Sequence, residues 1–266
     1  MIASLPNLRL GYDVAGSGPP ALLIMGLAVN RGGWELQVER WRQTHTCITF
    51  DNRGIGESDT PPGRYSTDQM ADDAAALLQL LGVDRAEVVG ISMGGMIAQK
   101  LALRAPKRVR SLTLLATHGG GLASTPPAAT VAHYVAMQAA RSPDARFKHF
   151  AKLLFSDRFL EDNHPTLRHR MMTGPLKDPQ SMRGFRGQFA AVSGHRTGRA
   201  LRALAGTPTL LMHGTADACV RPLNVRLLKS WMPWAHTSVL DRVGHGINVE
   251  AADAVNDTVS RFWAGK

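Results

Sequence analysis

The sequence pattern with the clearest chemical meaning is a serine enclosed by glycines, in the segment 90–94, which reads GISMG. The segment follows the short apolar run 87–91 and opens a stretch with helical spacing, 93–104. A turn this tight leaves room only for hydrogen at the flanking positions, and it projects the serine hydroxyl outward. The pattern predicts that Ser92 is a nucleophile at the carboxyl end of a strand; the alternative is a glycine-rich turn with an inert serine.

A serine hydroxyl is a weak nucleophile near neutral pH and needs a base, which in turn needs an acid to orient it. In enzymes with this turn, the chain order is serine, then Asp or Glu, then histidine. Asp217 follows an apolar run at 208–213, and His245 follows the last apolar run, 237–240. We therefore predict Asp217 as the acid and His245 as the general base.

Other residues compete for these functions. Asp241 is an alternative acid, but it stands before the loop that carries His245 and fits the end of its own strand better. His213 belongs to a predicted strand, so a structural histidine is its expected function. His118 follows the apolar run 112–116 and is a candidate for substrate contact, with a simple turn residue as the alternative.

Acyl transfer also requires hydrogen-bond donors for the developing oxyanion, and backbone N–H groups are donors already fixed in place. Met93, the residue after the nucleophile, supplies one N–H at the start of a helix. Leu27 supplies the other from the loop after an early strand, where Gly26 allows the backbone to come close to the substrate. The alternative is that Gly26 only ends that strand.

Short apolar runs alternate with helical stretches along most of the chain, which predicts an α/β fold with a mostly parallel, doubly wound sheet. Such sheets bind ligands beyond the carboxyl ends of their strands. Strands are predicted at 8–14 (an edge strand), 21–27, 47–50, 87–91, 112–116, 208–213 and 237–240. Helices are predicted at 66–81, with a capping box, and at 93–104, 222–232 and 247–263.

The strand signal is missing between residues 122 and 205, where Pro and Gly separate four helical stretches. Those helices are predicted at 130–141, 145–155, 159–172 and 179–192. We therefore expect an α/β core formed by residues 1–121 and 206–266, with a helical insertion at 122–205.

Composition limits the class of protein. The chain has 266 residues, of which 44% are hydrophobic and 20% charged, as in a folded globular protein. The longest apolar run, 21–29, is far shorter than the roughly 20 residues of a membrane-spanning helix. Because Cys47 and Cys219 are too few for a disulfide framework and the N-terminus does not resemble a signal peptide, we expect a cytoplasmic protein without a membrane span.

The formal net charge is +10, and the segment 122–205, with thirteen basic and five acidic residues, carries +8 of it. A basic field can attract anionic substrates or nucleic acid. These basic residues are scattered and are not interleaved with aromatic side chains, so we expect no nucleic-acid partner. An ester substrate that bears an anion stays open as an alternative to a merely solvated surface.

Four segments together resemble the α/β-hydrolase fold family, and the resemblance covers nearly the whole chain. They are the turn around Ser92, the DNRGIGES segment 51–58, the segment 213–217 and the Gly-His pair 244–245. The resemblance implies a helical cap between the sixth and seventh strands, at 122–205 here. The segments 25–34 and 51–59 are similar to the subgroup that contains polyketide methylesterases.

The resemblance also assigns individual residues. It implies a structural function for Arg53. It also implies that the Leu27 N–H is an oxyanion donor, because of its position in the loop, although Met25 stands where relatives have histidine. Members that open epoxides or remove halides use an aspartate at the position of Ser92, so those activities are not expected. The histidines and cysteines lack the spacing of metal ligands, and no cofactor is expected.

The predicted function is a cofactor-free serine hydrolase that cleaves small-molecule carboxylic esters through an acyl-enzyme. The same three residues serve lactonases, C–C bond hydrolases and perhydrolases, which remain alternatives. A protein of another class, a catalytically silent binder of a small ligand, also remains open. The oligomeric state is left open.

Overall fold

The computed structural model describes residues 1–121, 124–176 and 180–265. Within them, eight strands form one sheet in the order β1-β2-β4-β3-β5-β6-β7-β8. The strands are β1 (Ile2–Leu5), β2 (Leu8–Ala15), β3 (Pro20–Ile24), β4 (Thr46–Phe50), β5 (Ala86–Ile91), β6 (Val109–Leu115), β7 (Thr209–Gly214) and β8 (His236–Leu240). From β4 to β8 neighbouring strands are parallel, whereas β1 and β2 are antiparallel additions. The predicted α/β fold with a mostly parallel sheet is confirmed.

One strand prediction is wrong in its position within the sheet. The strand predicted at 8–14 is not an edge strand, because β2 pairs with both β1 and β4. The outer position belongs to β1, whose four residues are too few to give a clear alternating pattern in the sequence. The strand predicted at 21–27 ends earlier, at Ile24, and residues 25–27 begin a loop at the carboxyl edge of the sheet.

Helices flank the sheet on both faces. They are α1 (Glu35–Trp41), α2 (Thr67–Leu80), α3 (Met93–Arg104), α4 (Ala128–Ala139), α5 (Pro143–Leu154), α6 (Asp157–Thr173), α7 (Met182–Gly194), α8 (Leu223–Trp231), α9 (Ile247–Glu250) and α10 (Ala252–Ala264). The predicted capping box at the start of α2 is present, with Ser66 and Gln69 bonding each other's backbone N–H groups. None of the helices in the described ranges is long and apolar enough to cross a membrane.

The helix predicted as continuous over 247–263 is divided into α9 and α10. Ala251 has φ −127° and ψ 43°, which is outside the helical region. The carboxylate of Glu250 accepts hydrogen bonds from Gly244 N at 3.1 Å and from Ser156 N at 3.0 Å. Ser156 is 94 residues away in the chain, so the break coincides with a tertiary contact that no local residue signals.

Two apolar clusters pack on opposite faces of the sheet. Alternate residues of β3 point to opposite sides, with Leu22 and Ile24 in one cluster and Ala21 and Leu23 in the other. The first cluster contains apolar residues of α2, α3 and α8, and the second those of α1, α10 and parts of α5 and α6. Burial on both faces explains why the central strands are apolar throughout.

Helices α4–α7 lie between β6 and β7, and we call them the insertion helices. They match the four helices predicted for this segment, with their ends displaced by a few residues. The predicted boundary at residue 122 and the predicted helix start at residue 179 lie outside the described residues. The structure adds a 3-10 helix at Gly198–Leu204, which leads back to the sheet.

Candidate active site

Ser92 occupies a strained turn between β5 and α3. Its backbone has φ 55° and ψ −120°, a conformation that a residue with a side chain rarely adopts. A Cβ at Gly94 would overlap the carbonyl oxygen of Ile24, and one at Gly90 would overlap that of Gly94. The glycines of the sequence motif are therefore required by close backbone packing, which holds Ser92 at the carboxyl edge of the sheet.

His245 and Asp217 form a buried pair. His245 Nδ1 lies 2.7 Å from Asp217 Oδ2, while Oδ1 accepts hydrogen bonds at 2.8 Å from the N–H groups of Cys219 and Val220. Burial by itself raises the pKa of Asp217, but the attraction of His245 and hydrogen bonds from His213 and His245 outweigh it and bring the pKa to about 2. Asp217 is therefore ionised at neutral pH and holds the Nδ1 hydrogen of His245.

The two competing residues differ in position, since Asp241 is exposed whereas His213 is buried against Asp217. Asp241 is exposed, accepts a hydrogen bond from Thr215 Oγ1 at 3.2 Å and pairs with Arg242, so the structure does not bring it to His245. His213 is buried behind Asp217, and its Nε2 lies 2.9 Å from the carbonyl oxygen of Val220. His213 has the structural position that was expected for a histidine on a strand.

The loop after β3 packs directly against the nucleophile. A Cβ at Gly26 would lie 3.3 Å from the Cβ of Ser92, so only glycine allows this approach without displacement. Asn52 Nδ2 donates to the carbonyl oxygen of Met25 at 2.9 Å, and the N–H of Ala28 donates to Gln188 Oε1 at 3.1 Å. These contacts fix the loop on both sides of the peptide that carries the Leu27 N–H.

Two cavities meet at Ser92. The inner cavity has a volume of about 60 Å³, and its lining includes Gly26, Ser92 and His245. The outer cavity has a volume of about 770 Å³ and also includes Ser92, together with His118. Leu27 lines both cavities. Met93 is buried as the first residue of α3, so its N–H belongs to a helix N-terminus beside Ser92.

Comparison with known proteins decides the family. The sequence model of the alpha/beta hydrolase fold matches residues 19–252. The chain belongs to the alpha/beta hydrolase fold family.

Three relatives illustrate the similarity. A protein named "Putative carbamate hydrolase RutD" from Azorhizobium caulinodans is 30% identical over 255 residues, which cover 95% of this chain and 94% of that protein. A 2-hydroxymuconate semialdehyde hydrolase of Pseudomonas putida is 31% identical over an aligned length of 270, covering 96% and 91%. The solved structure of a hydrolase from Pseudomonas aeruginosa PA01 has a TM-score of 0.84 and 28% identity, covering 99% and 97%.

These relatives are hydrolases, and this α/β-hydrolase is accordingly an enzyme of the same general type. The names of the first two give different substrates, so family membership does not determine which bond this enzyme cleaves.

His118 is buried at the edge of the outer cavity. Its Nδ1 accepts a hydrogen bond from Gly120 N at 3.1 Å, and its ring centroid lies 5.9 Å from that of His195. Burial, with smaller electrostatic contributions from Arg196 and His245, lowers the pKa of His118 to about 4. His118 is therefore a neutral group at the cavity wall, close to the other ionisable residues of the site.

Sequence reasoning missed residues that reach the site from the insertion helices. Tyr134 of α4 lines both cavities, and Phe150 of α5 lines the inner one. Gln188 of α7 bonds the loop after β3. Helical spacing shows that such residues face inward, but it carries no information about the strand or loop that they meet. Asn52 was within a recognised motif, and its contact with Met25 was not foreseen.

Proposed function

We propose that this α/β-hydrolase is a serine carboxylesterase that cleaves small-molecule esters through an acyl-enzyme. The observation that carries the proposal is the 2.7 Å contact between His245 Nδ1 and Asp217 Oδ2, with His245 and the strained Ser92 lining the same inner cavity. A base held by an ionised acid beside a projecting hydroxyl is the arrangement that serine catalysis needs.

In the first half of the reaction, Ser92 Oγ attacks the carbonyl carbon of the ester while His245 Nε2 takes the hydroxyl proton. The Asp217 carboxylate stabilises the resulting imidazolium and keeps it in the required orientation. The N–H groups of Leu27 and Met93 donate to the oxyanion of the tetrahedral intermediate. The C–O bond to the leaving group then breaks, and His245 returns the proton to the departing alcohol.

In the second half, water attacks the acyl-enzyme by the same route. His245 removes a proton from the water molecule, and the same two N–H groups hold the second oxyanion. Collapse of this intermediate breaks the bond between Ser92 Oγ and the acyl carbon. His245 returns the proton to Ser92, so the acid product leaves and the enzyme is restored without a further reactant.

The insertion helices are proposed to form a cap over Ser92, as expected for residues 122–205. Tyr134 and Phe189, from the first and last of these helices, line the outer cavity together with Ser92. The two cavities would take the two sides of the substrate, and a basic residue at the outer wall, Arg196, favours a substrate that bears an anion.

A second candidate is hydrolysis of a C–C bond in a vinylogous diketone. The relative from Pseudomonas putida, 31% identical to this chain, is named 2-hydroxymuconate semialdehyde hydrolase. Turnover of a ring-cleavage diketone that exceeds turnover of simple esters by kcat/KM would favour this candidate, whereas the reverse order would favour the carboxylesterase.

The decisive experiment replaces Ser92 with alanine. We expect hydrolysis of a short p-nitrophenyl ester to fall by several orders of magnitude, and covalent labelling by a fluorophosphonate to disappear. Ser4→Ala, on the exposed strand β1, is the matched control and should keep both activities. Near-normal turnover in S92A would reject Ser92 as the nucleophile, and a folded wild-type protein that is neither active nor labelled would favour a silent binder.

A further inference from the structure

Gln188 connects an insertion helix with two loops of the site. It lies on α7 and is fully buried. Its Oε1 accepts the N–H of Ala28 at 3.1 Å, and its Nε2 donates to the carbonyl oxygen of Arg53 at 2.9 Å. Both partners are backbone groups, so one amide side chain joins the loop after β3 to the turn after β4.

We propose that Gln188 is a positioning residue that holds residues 25–28, here called the oxyanion loop, in the conformation that aims the Leu27 N–H at the oxyanion. The inference rests on the proposed function, because it assigns a task to Gln188 within that same reaction. It adds that α7 does more than enclose substrate: it sets the geometry of one oxyanion donor.

The conformation of the oxyanion loop explains why a fixed partner is needed. Ala28 has φ 62°, in the left-handed region that residues with a Cβ seldom occupy. Such a conformation persists only where surrounding contacts determine it. Gln188 supplies that contact on the peptide between Leu27 and Ala28, and so opposes relaxation of the strained residue.

The peptide that carries the Leu27 N–H is held from both sides. The preceding peptide is fixed because its carbonyl, that of Met25, accepts from Asn52 Nδ2 at 2.9 Å. The following peptide is fixed because its N–H, that of Ala28, donates to Gln188. Loss of either contact allows the intervening peptide plane to rotate, and a donor that rotates away no longer stabilises the transition state.

Close packing of α7 makes this reach possible. A Cβ at Gly184 would overlap the carbonyl oxygen of Gly54, and one at Gly187 would lie 2.5 Å from the Tyr65 ring. Tyr65 N donates to the carbonyl oxygen of Gly187 at 3.3 Å. The two glycines therefore bring the α7 backbone against Gly54 and Tyr65, and Gln188 lies one turn after Gly184 and directly after Gly187.

The test compares Gln188→Met with Gln180→Met. Methionine keeps the length of glutamine but offers no comparable hydrogen bonds. Gln180 is a matched control because its Nε2 also donates to a backbone carbonyl of the same turn, that of Gly54 at 2.9 Å, without contacting the oxyanion loop. For Q188M we expect kcat on a p-nitrophenyl ester to fall at least tenfold with KM changed by less than twofold, and for Q180M we expect neither constant to change.

A second readout separates positioning from a general structural effect. A boronic acid inhibitor depends on the oxyanion donors, so its affinity for Q188M should fall by the same factor as kcat/KM. Gln188→Asn should behave in the same way, because its amide is one carbon too short to reach both Ala28 and Arg53. This second variant keeps the test valid if Q188M does not fold.

The outcomes are distinguishable from failure of the proposed function. If S92A is inactive and unlabelled but both Gln188 variants keep wild-type kcat and inhibitor affinity, the serine mechanism stands and the inference about Gln188 is overturned. Equal losses in the Gln188 variants and in Q180M would also overturn it, because the effect would then belong to docking of the segment and not to the oxyanion loop.

Discussion

His213 Nε2 lies 3.1 Å from Asp217 Oδ2. The same carboxylate oxygen lies 2.7 Å from His245 Nδ1, while Oδ1 accepts two backbone N–H groups. His213 Nε2 also contacts the carbonyl oxygen of Val220 at 2.9 Å, and since both of its partners are acceptors, Nε2 must carry the hydrogen. Asp217 is thus a carboxylate whose four hydrogen-bond donors fix both its charge and its direction.

Replacement of His213 should weaken catalysis through Asp217. Removing a hydrogen bond to a charged group costs about 1.5–3 kcal/mol, so His213→Leu should lower kcat/KM by about tenfold or more. His213→Gln, whose amide can still donate, should recover part of the loss. Steady-state kinetics on one ester, with thermal unfolding of each variant, would measure this; equal activity in H213L and the wild type would show that the carboxylate needs no second side-chain partner.

Replacement of Asp217 should have a larger effect. In Asp217→Asn the amide can present its N–H to His245, which favours the wrong tautomer and removes the charge that stabilises the imidazolium. We expect kcat to fall by about three to four orders of magnitude, as for such changes in serine enzymes generally. Asp241→Asn is the control, since Asp241 is exposed and pairs with Arg242. A severe loss of kcat in D241N with a mild loss in D217N would show that Asp241, and not Asp217, is the acid that orients His245.

Much of the candidate site could be predicted, because short sequence patterns indicate the turn around Ser92 and the ends of the strands. The glycines around Ser92 are required by backbone packing that any close turn of this kind must satisfy, so the motif alone located the turn. That Asp217 and His245 lie close together could be predicted because parallel strands end at one edge, and polar residues after such ends meet there. The structure brings these two side chains to 2.7 Å although they are 28 residues apart.

The remaining features depend on contacts that no local pattern records. The break at Ala251 directly follows Glu250, which accepts a hydrogen bond from Ser156, 94 residues away. Strand β1 is recognisable only through its pairing with β2. Nothing in the sequence distinguishes Gln188 from an ordinary polar residue of a helix. Its partner Ala28 is 160 residues away, and only the docking of α7 identifies it as part of the site.

Acid should destabilise the fold through its buried neutral histidines. Burial lowers the pKa of His118 to about 4 and that of His195 to about 3, against an ordinary value of 6.5. Between pH 6.5 and 4 the unfolded chain binds protons at these positions and the folded chain does not. Their contribution to the free energy of unfolding is therefore complete above pH 6.5 and falls as the pH drops, by about 3 kcal/mol for His118 at pH 4.

His118→Asn tests this contribution directly. The amide oxygen of asparagine can accept the Gly120 N–H that His118 Nδ1 accepts at 3.1 Å, but it does not titrate. Urea unfolding at pH 7.5 and pH 5 should show a smaller loss of stability in H118N than in the wild type. His236→Asn, at an exposed position on β8, should leave the wild-type difference unchanged. An identical pH dependence in H118N and the wild type would contradict the prediction.

Arg196 should confer a modest preference for anionic esters. Among the described residues that line the outer cavity, Arg196 is the only lysine, arginine or acidic residue. Its Nη1 donates to the carbonyl oxygens of His195 at 2.6 Å and Ser193 at 3.2 Å, which restrains the guanidinium at the cavity wall. Because the side chain is exposed, an ion pair there is worth about 0.2–1 kcal/mol, or roughly a 1.4-fold to fivefold change in kcat/KM.

The measurement compares p-nitrophenyl hemisuccinate with p-nitrophenyl butyrate, which have the same acyl length and differ in charge. Arg196→Gln should lower kcat/KM for the anionic ester alone, and added salt should reduce the wild-type preference because exposed charges are screened. Arg199→Gln is the matched control, since Arg199 is exposed nearby and does not line either cavity. If R196Q and R199Q lower the anionic rate equally, the general basic charge of the segment attracts the substrate; if neither does, Arg196 confers no anionic preference.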